Sequence, residues 1–222
     1  MLFNLLPAFA DDFQLFNLFR YLTFRAAGAV ITALVLSFVL GPAVIRWLKS
    51  KQGEGQPIRE DGPESHLLTK RGTPTMGGVL ILFSLTVSTL LWADLSNPYV
   101  WTVLLVTGGF GLIGFGDDFL KLTKRNAKGL SSRMKFLAQL AISGAAAGVI
   151  LYSTPAPLAD GLAVPFFKDL LIDLGILFIP FAMLVMTGAS NAVNLTDGLD
   201  GLAIVPVMIA AAVLALIAYL AG

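Results

Sequence analysis

The chain has 222 residues, 56% of them hydrophobic and only 13% charged, with a formal net charge of +1; ordinary soluble domains carry about 25% charged residues. A mean hydropathy of +0.81 excludes a soluble globular domain and predicts a membrane protein, and the near-zero charge excludes the basic footprint of a nucleic-acid binder. With no cysteine, disulfides, thiolate metal sites and cysteine nucleophiles are excluded too.

The N-terminal stretch "MLFNLLPAFADDFQLFNLF" lacks the positive region and small-residue cleavage site of a secretory signal, so a short interfacial segment is expected. Beyond it, the Asp, Glu, Lys and Arg residues divide the chain into six uncharged runs, 26–45, 72–93, 95–116, 136–159, 174–196 and 201–222. Each is 20 to 24 residues long, and a helix needs about 20 apolar residues to cross the hydrocarbon core. The fold class expected is therefore an all-α integral membrane protein of six transmembrane helices, in one polytopic domain over 1–222. Pro42, Pro180 and Pro206 do not argue against this, because neighbouring helices satisfy freed backbone groups.

Twelve of the 15 basic residues lie in the segments after the first and third runs. The excess of Lys and Arg places both loops in the cytoplasm and the N-terminus outside. Trp92, Tyr99 and Trp101 flank the short turn between the second and third runs and read as an outer aromatic belt.

Three polar clusters then emerge on the cytoplasmic side. The first is "GFGDDFLKL" at 114–122, where Asp117 and Asp118 follow a long apolar run. A helix simply ending in water would tolerate two acids; yet acids near a helix C-terminus oppose its dipole and call for a cation, which Lys121 or Mg²⁺ could supply. Adjacent helical side chains diverge by about 100°, so the two carboxylates are expected to differ in role.

The second cluster is "TGASNAVNLTDGLDGLA" at 187–203, where Asn191, Asn194, Asp197 and Asp200 recur every three residues and Gly198 and Gly201 free the backbone. A bare turn needs fewer polar residues than this, and an oxygen-rich set without Lys or Arg suits Mg²⁺ better than a transition metal. In the third, "EDGPESHLLTKRGTPTMGG" at 60–78, Lys70, Arg71, Gly72 and Thr73 run directly into Pro74 and the second span, a cationic pair with hydroxyls and flexible backbone that could hold phosphate. Arg71 alone reads as a positive-inside anchor. His66, the single histidine, reads as a loop residue, since no second His or Cys exists to share a soft metal site.

"DGPESH", "KRGTPTMGG", "GDDFLK", "PFFKD" and "NAVNLTDGLDGLA", in this order, resemble the phospho-N-acetylmuramoyl-pentapeptide transferase family from about Tyr21 to the C-terminus. The resemblance implies Mg²⁺-dependent transfer of phospho-MurNAc-pentapeptide from UDP-MurNAc-pentapeptide to undecaprenyl phosphate, releasing UMP, in peptidoglycan biosynthesis at the bacterial cytoplasmic membrane. Carried over by motif, Asp117 and Asp118 occupy the catalytic pair, and Asp197 and Asp200 the substrate-pocket acids. Lys70 and Thr75 match positions near the nucleotide-sugar, Asn194 a polar contact beside the pocket, Gly198 and Leu199 the backbone near uracil, and Lys121 and Lys128 basic residues near the diphosphate.

The resemblance also implies about four further spans, a metal-binding aspartate and a histidine-rich loop that these 222 residues do not contain. The expectation is the N-terminal part of a roughly ten-span enzyme, inactive alone, with the metal ligands unassigned and Asp117 and Asp118 as candidates; the family also suggests a homodimer. Competing readings are another polyprenyl-phosphate sugar-1-phosphate transferase and a non-catalytic scaffold. A transporter is disfavoured because the ionisable groups lie at the ends of the runs, not at the bilayer midplane.

Overall fold

The computed structural model describes residues 1–52, 74–124, 129–164, 166–167, 170–197 and 201–221. After a short helix α1 (Leu2–Leu5) and two 3₁₀ segments (Leu6–Phe9 and Gln14–Arg20) come α2 (Leu22–Gln52), α3 (Gly78–Trp92), α4 (Pro98–Lys124) and α5 (Ser132–Ser153). Two three-residue strands, β1 (Gly161–Ala163) and β2 (Leu171–Asp173), precede α6 (Phe178–Thr196) and α7 (Ile204–Ala221).

Among the described residues, four helical stretches are long and apolar enough to cross a membrane: Leu22–Gln52, Pro98–Lys124, Ser132–Ser153 and Gly175–Thr196. The chain is an integral membrane protein. The runs at 72–93 and 201–222 form shorter helices than their apolar length allows. Pro74 disfavours helix in the residue before it, and Met76 takes a left-handed backbone (φ 69°), so α3 starts only at Gly78 and spans 15 residues, about 22 Å. Gly201, at φ 85°, likewise delays α7 to Ile204. The fifth run loses its first turn to a 3₁₀ segment, Gly175–Leu177.

The all-α expectation needs one correction. β1 and β2 pair antiparallel, Leu162 opposite Ile172, in a segment the span count treats only as a connection. Its apolar stretches are too short to register as alternation, and α5 ends at Ser153, shortly before Pro155, leaving room for the hairpin.

The chain forms two compact units, Met1–Ile142 and Ser143–Gly222, divided inside α5. In the first, α2 and α3 pack through small residues. Ser88 donates its hydroxyl to the carbonyl of Ala29, Trp92 Nε1 donates to Thr32 Oγ1 at 2.9 Å, and a Cβ on Gly28 would collide with the Trp92 ring. Trp92 also stacks on Phe19, centroids 5.5 Å apart. It is thus a packing residue, unlike Trp101, which is half exposed. In the second unit, the hydroxyls of Ser143 and Thr187 lie 3.4 Å apart, and Gly144 faces Met183.

Among the described residues the buried side chains, Leu48 apart, are small or polar, including Ser84, Ser88, Thr102, Ser143, Ala146, Ala147 and Thr187, while Ile31, Phe38, Leu112 and Leu214 point outward. This inverts the pattern of a water-soluble protein, because lipid tails solvate Leu as well as a core does and only close backbone approach and hydrogen bonds favour association.

The N-terminal segment is fastened to the α3–α4 turn: Asn4 Nδ2 donates to Asp94 Oδ1 at 3.0 Å and Asn4 Oδ1 accepts from Leu95 N at 3.2 Å. Hydrogen bonds from the Ser96 hydroxyl, from Asn4 and from the Ser96 amide hold the Asp94 carboxyl below its ordinary value of 3.8. A depressed folded value stabilises the tether fully above the ordinary value, and that contribution is lost as pH falls through the lower one. Trp101, whose indole N–H donates to Leu95 O at 2.8 Å, is the reporter. Its fluorescence is expected to change on acidification below about pH 4, and Asp94→Asn is expected to remove that transition.

A candidate active site at the end of helix α4

α4 continues beyond its apolar run for two turns, to Lys124, so the paired acids stand on helix rather than at its last residue. Helical spacing brings Lys121 under both: its Nζ lies 2.8 Å from Asp117 Oδ2 (i, i+4) and 3.4 Å from Asp118 Oδ1 (i, i+3). Lys121 is the cation that the acid pair called for.

The two carboxylates otherwise have different partners. Asp117 is buried; its Oδ1 accepts the Leu130 N–H at 2.8 Å and its Oδ2 also meets Lys135 Nζ at 3.1 Å. Two ammonium groups and an amide offset the cost of taking this carboxylate out of water. Asp118 is more open, its side chain 30% exposed, and its Oδ2 accepts the Thr75 hydroxyl at 2.9 Å.

Sequence explains how these groups arrive. Gly129 sits at φ 53°, a left-handed turn that glycine adopts without steric cost, and a Cβ there would strike Asp117 Oδ1 and come within 2.9 Å of Lys121 Cε. The loop can therefore approach the acid pair only with hydrogen at this position. Ser131 then starts α5, its Oγ accepting the Met134 N–H at 3.3 Å, which sets Lys135 one turn into the helix. A cation in a first turn opposes the helix dipole, and Asp117 compensates it.

Of the residues singled out from sequence, the structure brings Thr75, Asp117, Asp118 and Lys121 together in the first unit. Asn194 and Asp197 belong to the second unit, where both are exposed; Asp197 ends α6, its N–H donating to Val193 O at 3.1 Å. Asn191 turns back to donate to Thr187 O at 2.8 Å. Lys70, Lys128, Gly198, Leu199 and Asp200 lie outside the described residues, as do His66 and Arg71. Lys135, the Leu130 amide and Gln52 were not singled out. A lysine just after a Ser cap was the available signal for Lys135; nothing marked the other two.

Among the described residues no group of three Asp, Glu, His or Cys side chains could hold a metal ion. Asp117 fits poorly as a ligand, because two lysines and an amide already occupy its oxygens. Asp118 fits better as the single carboxylate that Mg²⁺ takes when substrate phosphates complete its shell.

The model of "Glycosyl transferase family 4" matches residues 100–222, which include the acid pair, Lys121, Lys135, Asn194 and Asp197. A pattern described as "Phospho-N-acetylmuramoyl-pentapeptide-transferase signature 1" matches residues 70–82, which include Thr75. The phospho-N-acetylmuramoyl-pentapeptide-transferase of Granulibacter bethesdensis is 64% identical over 222 residues, all of this chain and 61% of that protein. The chain thus spans about three fifths of the length of this relative.

Proposed function

The chain belongs to glycosyl transferase family 4, and from that membership we propose that it carries the catalytic acid pair of a phosphotransferase that moves phospho-MurNAc-pentapeptide from its UDP carrier to undecaprenyl phosphate, releasing UMP. The observation that carries this reading is a buried carboxylate bound by two lysines, beside a more open carboxylate, at the end of a membrane-spanning helix. The 70–82 signature and the named relative support the choice of substrates.

The lipid phosphate, with a second pKa of about 6, is mostly dianionic at neutral pH, so its obstacle is approaching a diphosphate of like sign. Lys121 and Lys135 supply positive charge against both reactants. As phosphates draw these ammonium groups toward themselves, the Asp117 carboxylate is released. It then either removes a residual proton from the lipid phosphate, whose oxygen attacks the sugar-linked phosphorus as the bond to UMP breaks, or attacks that phosphorus itself with departure of UMP, after which the lipid phosphate oxygen displaces the carboxylate and regenerates it. Asp118, oriented by Thr75, would hold Mg²⁺, which supplies neutralisation of phosphate charge and alignment of the reactants.

In this reading the six apolar runs are six spans of a bacterial cytoplasmic membrane protein, and the 46–71 and 121–135 loops face the cytoplasm, where the nucleotide substrate is found. The positive-inside distribution supports that orientation. By the family motifs, Lys70, Lys128, Asn194, Asp197, Gly198, Leu199 and Asp200 are assigned to recognition of the nucleotide-sugar.

The test is transfer of labelled UDP-MurNAc-pentapeptide to undecaprenyl phosphate in detergent with Mg²⁺. The chain is assayed alone and co-reconstituted with the remaining C-terminal portion of the Granulibacter relative. Transfer is expected only in the combined preparation. Transfer of UDP-N-acetylhexosamine instead would assign a different polyprenyl-phosphate transferase, and no transfer of either would leave a scaffold.

A further inference from the structure

Gln52, the last residue of α2, makes a two-point contact with a segment that is neither helix nor strand. Its Nε2 donates to Thr75 O at 3.0 Å and its Oε1 accepts from Thr75 N at 2.8 Å. One planar carboxamide thereby satisfies both backbone polar groups of Thr75, as a neighbouring strand would. The amide orientation is fixed by this pairing, since the reverse would oppose donor to donor and acceptor to acceptor.

Thr75 stands between Pro74, which has no N–H, and Met76, whose backbone is left-handed at φ 69°. A non-glycine residue stays in that region only where its surroundings over-determine it. The clamp on Thr75 is such a constraint. Threonine is β-branched and stiff about χ1, so fixing its backbone also fixes its hydroxyl, which must donate to the acceptor-only carboxylate of Asp118, 2.9 Å away.

We propose that Gln52 is a positioning residue for Asp118, acting through the Thr75 backbone and hydroxyl. It touches no reacting group. It holds the Asp118 carboxylate in one orientation, with Oδ1 left toward Lys121 at 3.4 Å. The catalytic consequence rests on the transferase reading; the geometric role does not.

The experiment measures carbodiimide-driven coupling of an amine to Asp118 and to Asp117 in the detergent-solubilised chain, with tandem mass spectrometry separating the adjacent acids. Gln52→Ala and Thr75→Val are each expected to raise Asp118 labelling by about 3- to 10-fold, the effect of losing one hydrogen bond, with Asp117 unchanged. The double variant is expected to show no further rise, because both act through one hydroxyl. Gln52→Glu, which still accepts the Thr75 N–H but cannot donate to its carbonyl, is expected to fall between and guards against a misfolded alanine variant. Unchanged Asp118 labelling in Gln52→Ala, or effects that multiply in the double variant, would overturn the proposal.

Gln52→Ala and Gln52→Glu are also assayed for transfer in the preparation combined with the relative's C-terminal portion. A reduced kcat at unchanged KM for the nucleotide-sugar is expected. If the unmutated preparation transfers nothing, the transferase reading fails while the labelling pattern still decides the role of Gln52.

Discussion

Asp117→Asn is expected to lower transfer by about 10³-fold, within the range for loss of a positioned base, and to destabilise the first unit by about 1–3 kcal/mol. The carboxamide can keep the Leu130 N–H bond, now 2.8 Å long, but not both lysine contacts. Its oxygen serves one donor side, and its NH₂ would face ammonium groups that now lie 2.8 and 3.1 Å from Asp117 Oδ2. Lys121 and Lys135 lose the charge that holds them. Transfer assays and thermal unfolding of the same preparation separate the two effects, and near wild-type transfer by this variant would remove Asp117 from the reaction.

Gly129→Ala is the second large effect. The left-handed backbone at φ 53° costs a residue with a Cβ about 1–2 kcal/mol, and the new methyl would collide with Asp117 Oδ1. Either the loop retreats, breaking the Leu130 N–H bond, or the carboxylate moves. Displacements of this kind cost on the order of 10²-fold in rate. Gly148→Ala is the control: it lies within α5, nothing is within 4 Å of the added Cβ, and its stability is expected to hold or to rise by up to about 1 kcal/mol. The comparison is made by unfolding temperature and transfer rate, and equal behaviour of the two variants would show that the loop does not constrain the acid pair.

The legible part of the fold is the part written locally. Apolar runs bounded by charges mark the long helices because the bilayer demands continuous apolar length. Local geometry also explains where that reading overreached: Met76 and Gly201 hold left-handed backbones that shorten α3 and α7, and an uncharged run does not reveal a backbone dihedral. The hairpin was hidden because strands of three residues are shorter than any window in which alternation can be read.

At the candidate site the same division holds. The contact of Lys121 with the acid pair was readable because three and four residues along a helix is one turn. Lys135 meets Asp117 from 18 positions away, Thr75 meets Asp118 from 43, and Gln52 meets Thr75 from 23. None of these spacings implies contact in a linear chain. By itself, the sequence determined that this is a membrane protein, which residues could carry phosphoryl chemistry, and which family they resemble. Only the tertiary structure decided that Asp117 is the lysine-bound, buried acid and Asp118 the open, threonine-oriented one, because that asymmetry comes from loops folded back onto α4 from both directions, and burial and hydrogen bonding, not residue type, set the two carboxylates apart.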